Sequence, residues 1–234
     1  MKVIILAGGY GTRISEETDN KPKPMVLLDD KPILWHVMNI YAKQGFNDFT
    51  IATGYKGEVI HDWVKDLKTT WSVEALDTGL ETLTGGRIKK AVDHISEDRV
   101  MVTYGDGVGN INVKDLLEFH RTHGRLATVT AVRPPSRFGV LHSSNGVVTD
   151  FGEKNQADAG WINGGFFVIE KEITSFIHKE LDAFEADVLP RLVHTRQLMS
   201  FHHTGFWQPM DTLREKNELS RLAKESTPPW LAGL

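Results

Sequence analysis

Two patterns of hydrophobic residues alternate along the first part of the chain. Residues 3–7 form a continuous apolar and mostly β-branched run, which is typical of a strand buried on both faces. Residues 33–41 and 58–67 instead carry apolar side chains at helical spacing, and Pro32 stands at the start of the first of these segments. Short apolar runs that alternate with amphipathic segments predict a parallel sheet with helices on both faces.

The same alternation continues to about Pro134 and then changes. Strands are predicted at residues 49–53, 73–76, 100–104 and 127–132, and helices at residues 87–95 and 113–123. Beyond Pro134, residues 138–141 and 147–151 resemble a hairpin, residues 165–169 and 198–203 resemble strands, and residues 211–224 resemble a last helix. The prediction is therefore one α/β domain over residues 1–234, with a Rossmann-like, mostly parallel sheet and an antiparallel-rich second half.

Composition narrows the classes of protein only modestly. The chain has 234 residues, a net charge of −4 and no cysteine, so disulfides and thiolate metal sites are excluded. Acidic and basic residues are well mixed, which argues against a nucleic-acid or membrane partner. A short apolar start followed by glycines does not resemble a signal peptide, and the absence of cysteine fits a cytoplasmic location.

A glycine-rich segment, Gly-Gly-Tyr-Gly-Thr-Arg at residues 8–13, directly follows the first buried strand. Glycines let the backbone approach a phosphate, and successive N–H groups can cradle an anion beyond the carboxyl end of a strand. A Walker A loop is absent, and Ile14 stands where the dinucleotide fingerprint needs a third glycine or alanine. Taken alone, the segment indicates a phosphate nearby or an ordinary tight turn.

Basic residues follow at short range. Arg13 and the run Lys21-Pro22-Lys23-Pro24 place three cations near the glycines, and the prolines stiffen the backbone that carries the lysines. A triphosphate needs such neutralisation from pre-positioned groups. The alternative for a Lys-Pro run taken alone is a solvated surface loop.

Two aspartates are candidate metal ligands. Asp106 stands between two glycines at the end of a predicted buried strand, where a carboxylate suits a Mg²⁺ ion that arrives with phosphates. The alternative for Asp106 is a turn residue. Asp211 lies far downstream and is either a second ligand or the N-cap of the last helix.

Taken together, these segments resemble the sugar nucleotidyltransferases, and most specifically the group that transfers a cytidylyl unit to glucose 1-phosphate. The resemblance runs essentially end to end. Its motifs are the segment 6–13, the lysine–proline run, Asp-Thr-Gly at 77–79 with Thr-Gly-Gly-Arg at 84–87, residues 103–107, Ile-Asn-Gly-Gly-Phe-Phe at 162–167, and residues 205–213. One departure is a shortened segment between Gly57 and Asp77.

The resemblance implies a role for each matching position. Residues 1–133 would bind the nucleotide, and residues 134–234 would form the sugar-binding half with the C-terminal helix and tail. The implied catalytic residues are Arg13, Lys23 and Asp106, and the implied metal ligands are Asp106 and Asp211. The implied nucleotide-binding residues are Leu6, Ala7, Gly8, Gly9, Tyr10, Gly11, Thr12, Arg13, Lys23, Thr82, Gly86, Arg87 and Gly105. The implied sugar-phosphate-binding residues are Gly139, Glu153, Lys154, Asn163 and Gly164.

The implied reaction joins CTP and glucose 1-phosphate to give CDP-glucose and pyrophosphate, with Mg²⁺ as cofactor and a homo-oligomer as the expected assembly. Three alternatives stay open: the same chemistry with UTP or dTTP, transfer to a non-sugar phosphate, and a nucleotide-binding protein without catalysis. Trp207 either lines the sugar site or only packs. His120 and His123 are expected to be surface or hydrogen-bonded histidines rather than metal ligands, because no zinc motif surrounds them.

Overall fold

The computed structural model describes residues 1–134, 139–144, 147–153 and 160–234, without the side chains of residues 13, 15, 16, 139–144 and 150–153. The strands are β1 (Val3–Ala7), β2 (Leu27–Leu28), β3 (Lys31–Pro32), β4 (Asp48–Thr53), β5 (Ser72–Asp77), β6 (Arg99–Tyr104), β7 (Gly107–Gly109), β8 (Ala127–Val132), β9 (Gly139–Ser144), β10 (Val147–Glu153), β11 (Ile162–Glu170), β12 (Leu198–His203) and β13 (Trp207–Pro209). The helices are α1 (Ser15–Thr18), α2 (Ile33–Ala42), α3 (Gly57–Asp66), α4 (Thr84–His94), α5 (Val113–His123), α6 (Leu189–His194) and α7 (Leu213–Ala223). Short 3₁₀ turns lie at Thr12–Ile14, Lys23–Met25, Lys171–Phe176 and Pro229–Leu231, and a π-helical turn at Phe184–Val188.

Seven strands form the main sheet in the order β12-β8-β11-β6-β1-β4-β5. Strands β6, β1, β4 and β5 run parallel to one another, and β12 is parallel to β8. Strand β11 is antiparallel to both of its neighbours, β6 and β8. The predicted fold class is thus confirmed: a mostly parallel sheet with an antiparallel element from the second half, and β9 and β10 paired as the predicted hairpin.

The sheet is buried on both faces because strand side chains alternate between two cores. In β1, Val3, Ile5 and Ala7 belong to a core that also contains residues of α2, α5 and α7. Ile4 and Leu6 point to the opposite core, which α4 and residues 173–192 cover. The continuous apolar run that predicted a doubly covered strand is explained by this arrangement.

Two helix starts differ from the sequence prediction. Helix α4 begins at Thr84 rather than at residue 87, so Gly85 and Gly86 lie in its first turn. A side chain on either glycine would collide with the carbonyl oxygens of Asp182 or Glu180, which explains why glycine is needed inside a helix there. Helix α7 begins at Leu213, and its N-cap is Thr212, which forms a capping box with Glu215. Capping as the role of Asp211 is therefore wrong.

The C-terminal tail packs on this domain. Trp230 is completely buried and meets the ring of His36 edge-on, with 5.4 Å between the centroids.

No helix in the described part of the chain is long and apolar enough to cross a membrane.

Candidate active site

A cavity of about 390 Å³ opens beyond the carboxyl ends of β1 and β6. Asp106, a predicted catalytic residue and metal ligand, lines it together with many of the residues predicted to bind the nucleotide: Leu6, Ala7, Gly8, Gly9, Tyr10, Gly11, Thr12, Lys23, Thr82, Arg87 and Gly105. The other lining residues, which were assigned no role from the sequence, are Pro24, Leu80, Glu81, Leu83, Thr84 and Tyr104. The position agrees with the rule that ligands of open α/β sheets bind at this edge.

The glycine segment forms one wall of this cavity and the residues before α4 form another. Gly11 has a φ of +65°, a conformation that favours glycine, and its Cα faces the stem of Lys23. The Tyr10 hydroxyl donates to Glu81 Oε1 at 2.8 Å, which links the two walls at the mouth of the cavity. The side chain of Arg13, a predicted catalytic residue, lies outside the described residues, although its backbone belongs to the turn Thr12–Ile14.

Arg87 lies beneath the cavity and its guanidinium holds the surrounding loops. Its terminal nitrogens donate to the carbonyl oxygens of Gly8, Thr53, Gly79 and Leu80 and to the hydroxyl of Thr78, at 2.7–3.1 Å. Burial lowers the pKa of Arg87, and nearby Asp77 partly offsets that effect. Arg87 thus meets the cavity as part of its floor, with its terminal nitrogens already hydrogen-bonded within the protein.

Gly86 does not line the cavity as the structure describes it. A Cβ added to Gly86 would meet the carbonyl oxygen of Glu180 and the side chain of Thr82. The resemblance assigned Gly86 to the nucleotide site, and that role stays a prediction.

Lys23 connects two aspartates that are far apart in sequence. Its Nζ lies 2.6 Å from Asp106 Oδ2 and 2.8 Å from Asp211 Oδ1. The turn Lys23–Met25 is buried, so the alternative of a solvated loop is wrong, whereas Lys21 is partly exposed. Burial lowers the pKa of Lys23, but the carboxylates of Asp106 and Asp211 outweigh burial and raise that pKa above its ordinary value.

The pairing of β7 with β13 explains how the two aspartates meet. Pro209 pairs with Gly107 in that antiparallel ladder, and the backbone N–H of Met210 donates to the carbonyl oxygen of Asp106 at 2.8 Å. The next residue, Asp211, has its N–H bonded to Glu215 Oε2 at 2.7 Å. Among the described residues, no group of three or more His, Asp or Glu side chains could hold a metal ion.

The predicted sugar-side residues fall into two places. Asn163 and Gly164 lie where the register of β11 against β8 shifts, in a β-bulge beside Tyr104. Gly139 and Glu153 are paired directly across the hairpin of β9 and β10. Lys154 lies outside the described residues.

The Trp207 indole donates to the carbonyl oxygen of Gly164 at 2.8 Å, so this side chain supports the bulge.

The predicted histidine environment is also observed. His120 is fully buried between Thr128 and Glu170, and His123 bonds the same Thr128 hydroxyl, at 2.7–3.1 Å. These side chains are hydrogen-bonded, as expected.

Comparison with known proteins agrees with the fold. The family model described as nucleotidyl transferase matches residues 2–215, and the chain belongs to that family. A protein of Salmonella typhi named glucose-1-phosphate cytidylyltransferase is 42% identical over 253 aligned positions, which cover 98% of each chain. A Bacillus subtilis protein named probable glucose-1-phosphate cytidylyltransferase is 38% identical and covers 98% of this chain and 99% of its own.

A solved structure is also similar over nearly the whole chain. HddC from Yersinia pseudotuberculosis, complexed with GMP-PN, has a TM-score of 0.77 and 25% identity, over 95% of this chain and 99% of that chain. The alignment with the Salmonella protein spans more positions than the 234 residues of this chain, so it contains gaps here. These gaps agree with the prediction that this chain is shorter than the usual chain of the family. That the missing residues lie between Gly57 and Asp77 stays a prediction.

Proposed function

We propose that this protein transfers a cytidylyl group from CTP to glucose 1-phosphate and releases pyrophosphate. The observation that carries the proposal is the ammonium of Lys23, which lies between the carboxylates of Asp106 and Asp211 at the edge of a glycine-walled cavity. A cation, two carboxylates and exposed backbone are the groups that a metal–triphosphate needs. The names of the Salmonella and Bacillus relatives support the choice of substrates.

In the proposed reaction, a phosphate oxygen of glucose 1-phosphate attacks the α-phosphorus of CTP in line. One P–O bond forms while the bond to the bridging oxygen of pyrophosphate breaks, and that oxygen takes the electron pair. The attacking phosphate is already anionic, so no side chain has to remove a proton. The residues therefore act by positioning the two substrates and neutralising charge.

Lys23 and the glycine segment have distinct tasks in this scheme. The backbone of residues 8–11 approaches the phosphates, because glycines leave its N–H groups accessible. Lys23 stabilises the negative charge of the triphosphate and of the departing pyrophosphate, and the resemblance assigns Arg13 the same task. On the sugar side, the proposal uses Gly139, Glu153, Lys154, Asn163 and Gly164.

The proposed cofactor is Mg²⁺, held by Asp106 and Asp211. Both carboxylates contact the same ammonium, so a single cation can reach both, and hard oxygen ligands suit this ion. Two carboxylates are the usual protein share of a Mg²⁺ site whose remaining ligands are phosphate oxygens and water. Bound Mg²⁺ would supply Lewis-acid stabilisation of phosphate charge.

The identity of the base is the least constrained part of the proposal. Cytosine carries an amino donor where uracil carries a carbonyl acceptor, and buried hydrogen bonds can discriminate strongly between the two. The bound GMP-PN in HddC shows that a guanine nucleotide analogue binds that structural relative. UTP, dTTP and GTP are therefore the rival donors, and a cytoplasmic homo-oligomer stays a prediction.

The deciding experiment measures pyrophosphate release with CTP, UTP, dTTP and GTP, each crossed with several sugar 1-phosphates. The expected result is the highest kcat/KM for CTP with glucose 1-phosphate. Faster turnover with another nucleotide would overturn the cytidylyl assignment. Nucleotide binding without pyrophosphate release from any pair would favour a protein that keeps the fold without the chemistry.

A further inference from the structure

Glu185 and Tyr104, to which the sequence assigned no role, link the start of α4 to the bulge of β11. The Tyr104 hydroxyl donates to Glu185 Oε1. The other carboxylate oxygen, Oε2, accepts from the Thr84 hydroxyl at 2.7 Å. Glu185 belongs to the π-helical turn Phe184–Val188, in the second half of the chain. It bonds Thr84 and Tyr104, which both line the nucleotide cavity.

The same phenol also holds the bulge. Asn163 Nδ2 donates to the Tyr104 oxygen at 3.1 Å, and Asn163 Oδ1 accepts from the Gly165 N–H at 2.8 Å. Gly165 has a φ of +84°, and a side chain there would overlap the Tyr104 ring. A phenol is protonated at neutral pH, so the Tyr104 hydroxyl has a proton to donate to Glu185.

In this hydrogen-bond network, one assignment of donors and acceptors gives every side chain a suitable partner. Glu185 accepts twice, Tyr104 donates once and accepts once, and the Asn163 amide both donates and accepts. On the other flank of the bulge, the Trp207 indole donates to the Gly164 carbonyl oxygen. The bulge is consequently fixed from both sides by side chains that do not belong to β11.

We propose that Glu185 and Tyr104 are positioning residues for the sugar 1-phosphate, which act by fixing the Asn163 amide and the bulge. The inference rests on the proposed function, in which Asn163 and Gly164 contact the sugar. A sugar hydroxyl needs donors and acceptors at fixed places, and small misplacements of such groups cost a large factor in rate.

Losing Glu185 affects the two ends of this network unequally. Thr84 keeps a second partner, because its hydroxyl oxygen also accepts from the Phe184 N–H at 2.8 Å, and it lies in the first turn of α4. Asn163 depends on the phenol for its amide donor contact. We therefore expect the loss to reach the sugar phosphate and to leave the nucleotide side nearly unchanged.

The test compares steady-state kinetics of Glu185→Ala and Tyr104→Phe with those of the wild-type protein, with each substrate varied in turn. Tyr104→Phe keeps the ring that packs edge-on against Phe167. We expect the KM for the sugar 1-phosphate to rise about tenfold in both variants, with little change in the KM for CTP. Glu185→Gln keeps one acceptor oxygen and should recover part of the loss. Glu172→Ala, which removes an exposed glutamate of the turn Lys171–Phe176, is the matched control.

Combining the two substitutions separates positioning from general destabilisation. Both substitutions remove the Tyr104–Glu185 hydrogen bond, and Tyr104→Phe also removes the Asn163–Tyr104 bond. The double variant should therefore be no worse than Tyr104→Phe alone in its KM for the sugar phosphate. An unchanged KM for the sugar phosphate in both variants overturns the inference, and so does an equal rise in both KM values accompanied by a lower melting temperature. If the wild-type protein is active and the variants behave like it, the inference fails but the proposed function stands. If the wild-type protein is inactive on every sugar 1-phosphate, the inference and the proposed function both fail.

Discussion

The guanidinium of Arg87 fills the space beneath Gly8. One of its nitrogens donates to the Gly8 carbonyl oxygen at 3.0 Å, and a Cβ built on Gly8 would overlap the guanidinium itself. The same group occupies the space beside Gly54. The buried side chain of Arg87 therefore requires glycine at both positions. The shape of the glycine segment at residues 8–13 depends on this arginine.

Gly8→Ala should destabilise the fold, because the added methyl group cannot enter without displacing Arg87 from its carbonyl partners. We expect the free energy of unfolding to fall by about 1–3 kcal/mol, a typical cost of overpacking. Gly9→Ala is the control, since a Cβ on Gly9 meets nothing within 4 Å. Urea unfolding of the two variants and wild type measures the difference, and equal stabilities would contradict the steric role of Arg87.

Asp106→Asn should remove most turnover while the fold survives. The substitution is nearly isosteric but takes away one of the two carboxylates proposed to hold Mg²⁺. We expect kcat to fall on the order of a hundredfold or more, in line with the loss of one electrostatic group from a phosphoryl-transfer site. Asp62→Asn removes an exposed carboxylate of α3 and should leave kcat unchanged. Near-normal rates for Asp106→Asn at saturating Mg²⁺ would count against the metal role.

Lys23→Met should raise the affinity of the nucleotide-free protein for a divalent ion. The Lys23 ammonium is paired with both Asp106 and Asp211, so a metal ion has to compete with it for the same oxygens. Without the ammonium, the two carboxylates repel each other and bind a cation more tightly. We expect the Kd for Mn²⁺, measured by electron paramagnetic resonance, to fall about tenfold or more, which corresponds to about 1.4 kcal/mol.

Lys21→Met is the matched control for that measurement, because Lys21 is partly exposed and lies in the same short run. Turnover of Lys23→Met should fall even as metal binding strengthens. Unchanged Mn²⁺ affinity would mean that Lys23 does not compete for the aspartates.

Stability should decline as the pH falls from about 7.5 to 5.5. Burial lowers the pKa of His120 in the folded protein, and the hydrogen bond with Glu170 offsets only part of that effect. The unfolded chain therefore takes up the proton more readily, so the stabilisation is complete above the unfolded pKa of about 6.5 and is lost below it. Burial likewise lowers the pKa values of His36, His123 and His203.

Hydrogen bonding explains why His120 resists the second proton. The Arg125 N–H donates to His123 Nδ1, which leaves the Nε2–H of His123 to donate to the Thr128 hydroxyl. That hydroxyl donates in turn to His120 Nδ1, so a proton can be added there only if the Thr128 hydroxyl gives up this hydrogen bond. His120→Gln should be less stable at pH 7.5 and should lose less stability on acidification; an unchanged pH slope in urea unfolding would assign the effect to other groups.

Hydrophobic spacing was sufficient to predict most elements of this fold. Strands buried on both faces leave a continuous apolar run, and amphipathic helices leave apolar residues at helical spacing, so the local sequence carries their positions. Two helix starts were misplaced because the deciding contacts are not local. Gly85 and Gly86 resemble a loop until the backbone of Glu180 and Asp182 is seen packed against them. Asp211 resembles an N-cap until Thr212 is seen to bond the N–H of Glu215.

For the site, the sequence by itself determined which chemistry the chain carries: glycines after a buried strand, a lysine in a proline-stiffened run, an aspartate at a predicted strand end and a second aspartate far downstream. Only the tertiary structure decided which of these groups meet. Strands β7 and β13 bring Asp211 to Asp106, and the turn at Lys23 carries its ammonium between them. The tasks of Arg87, Tyr104 and Glu185 were equally hidden, because a hydrogen bond between distant residues leaves no periodic signal in the chain and is fixed only when the sheet forms.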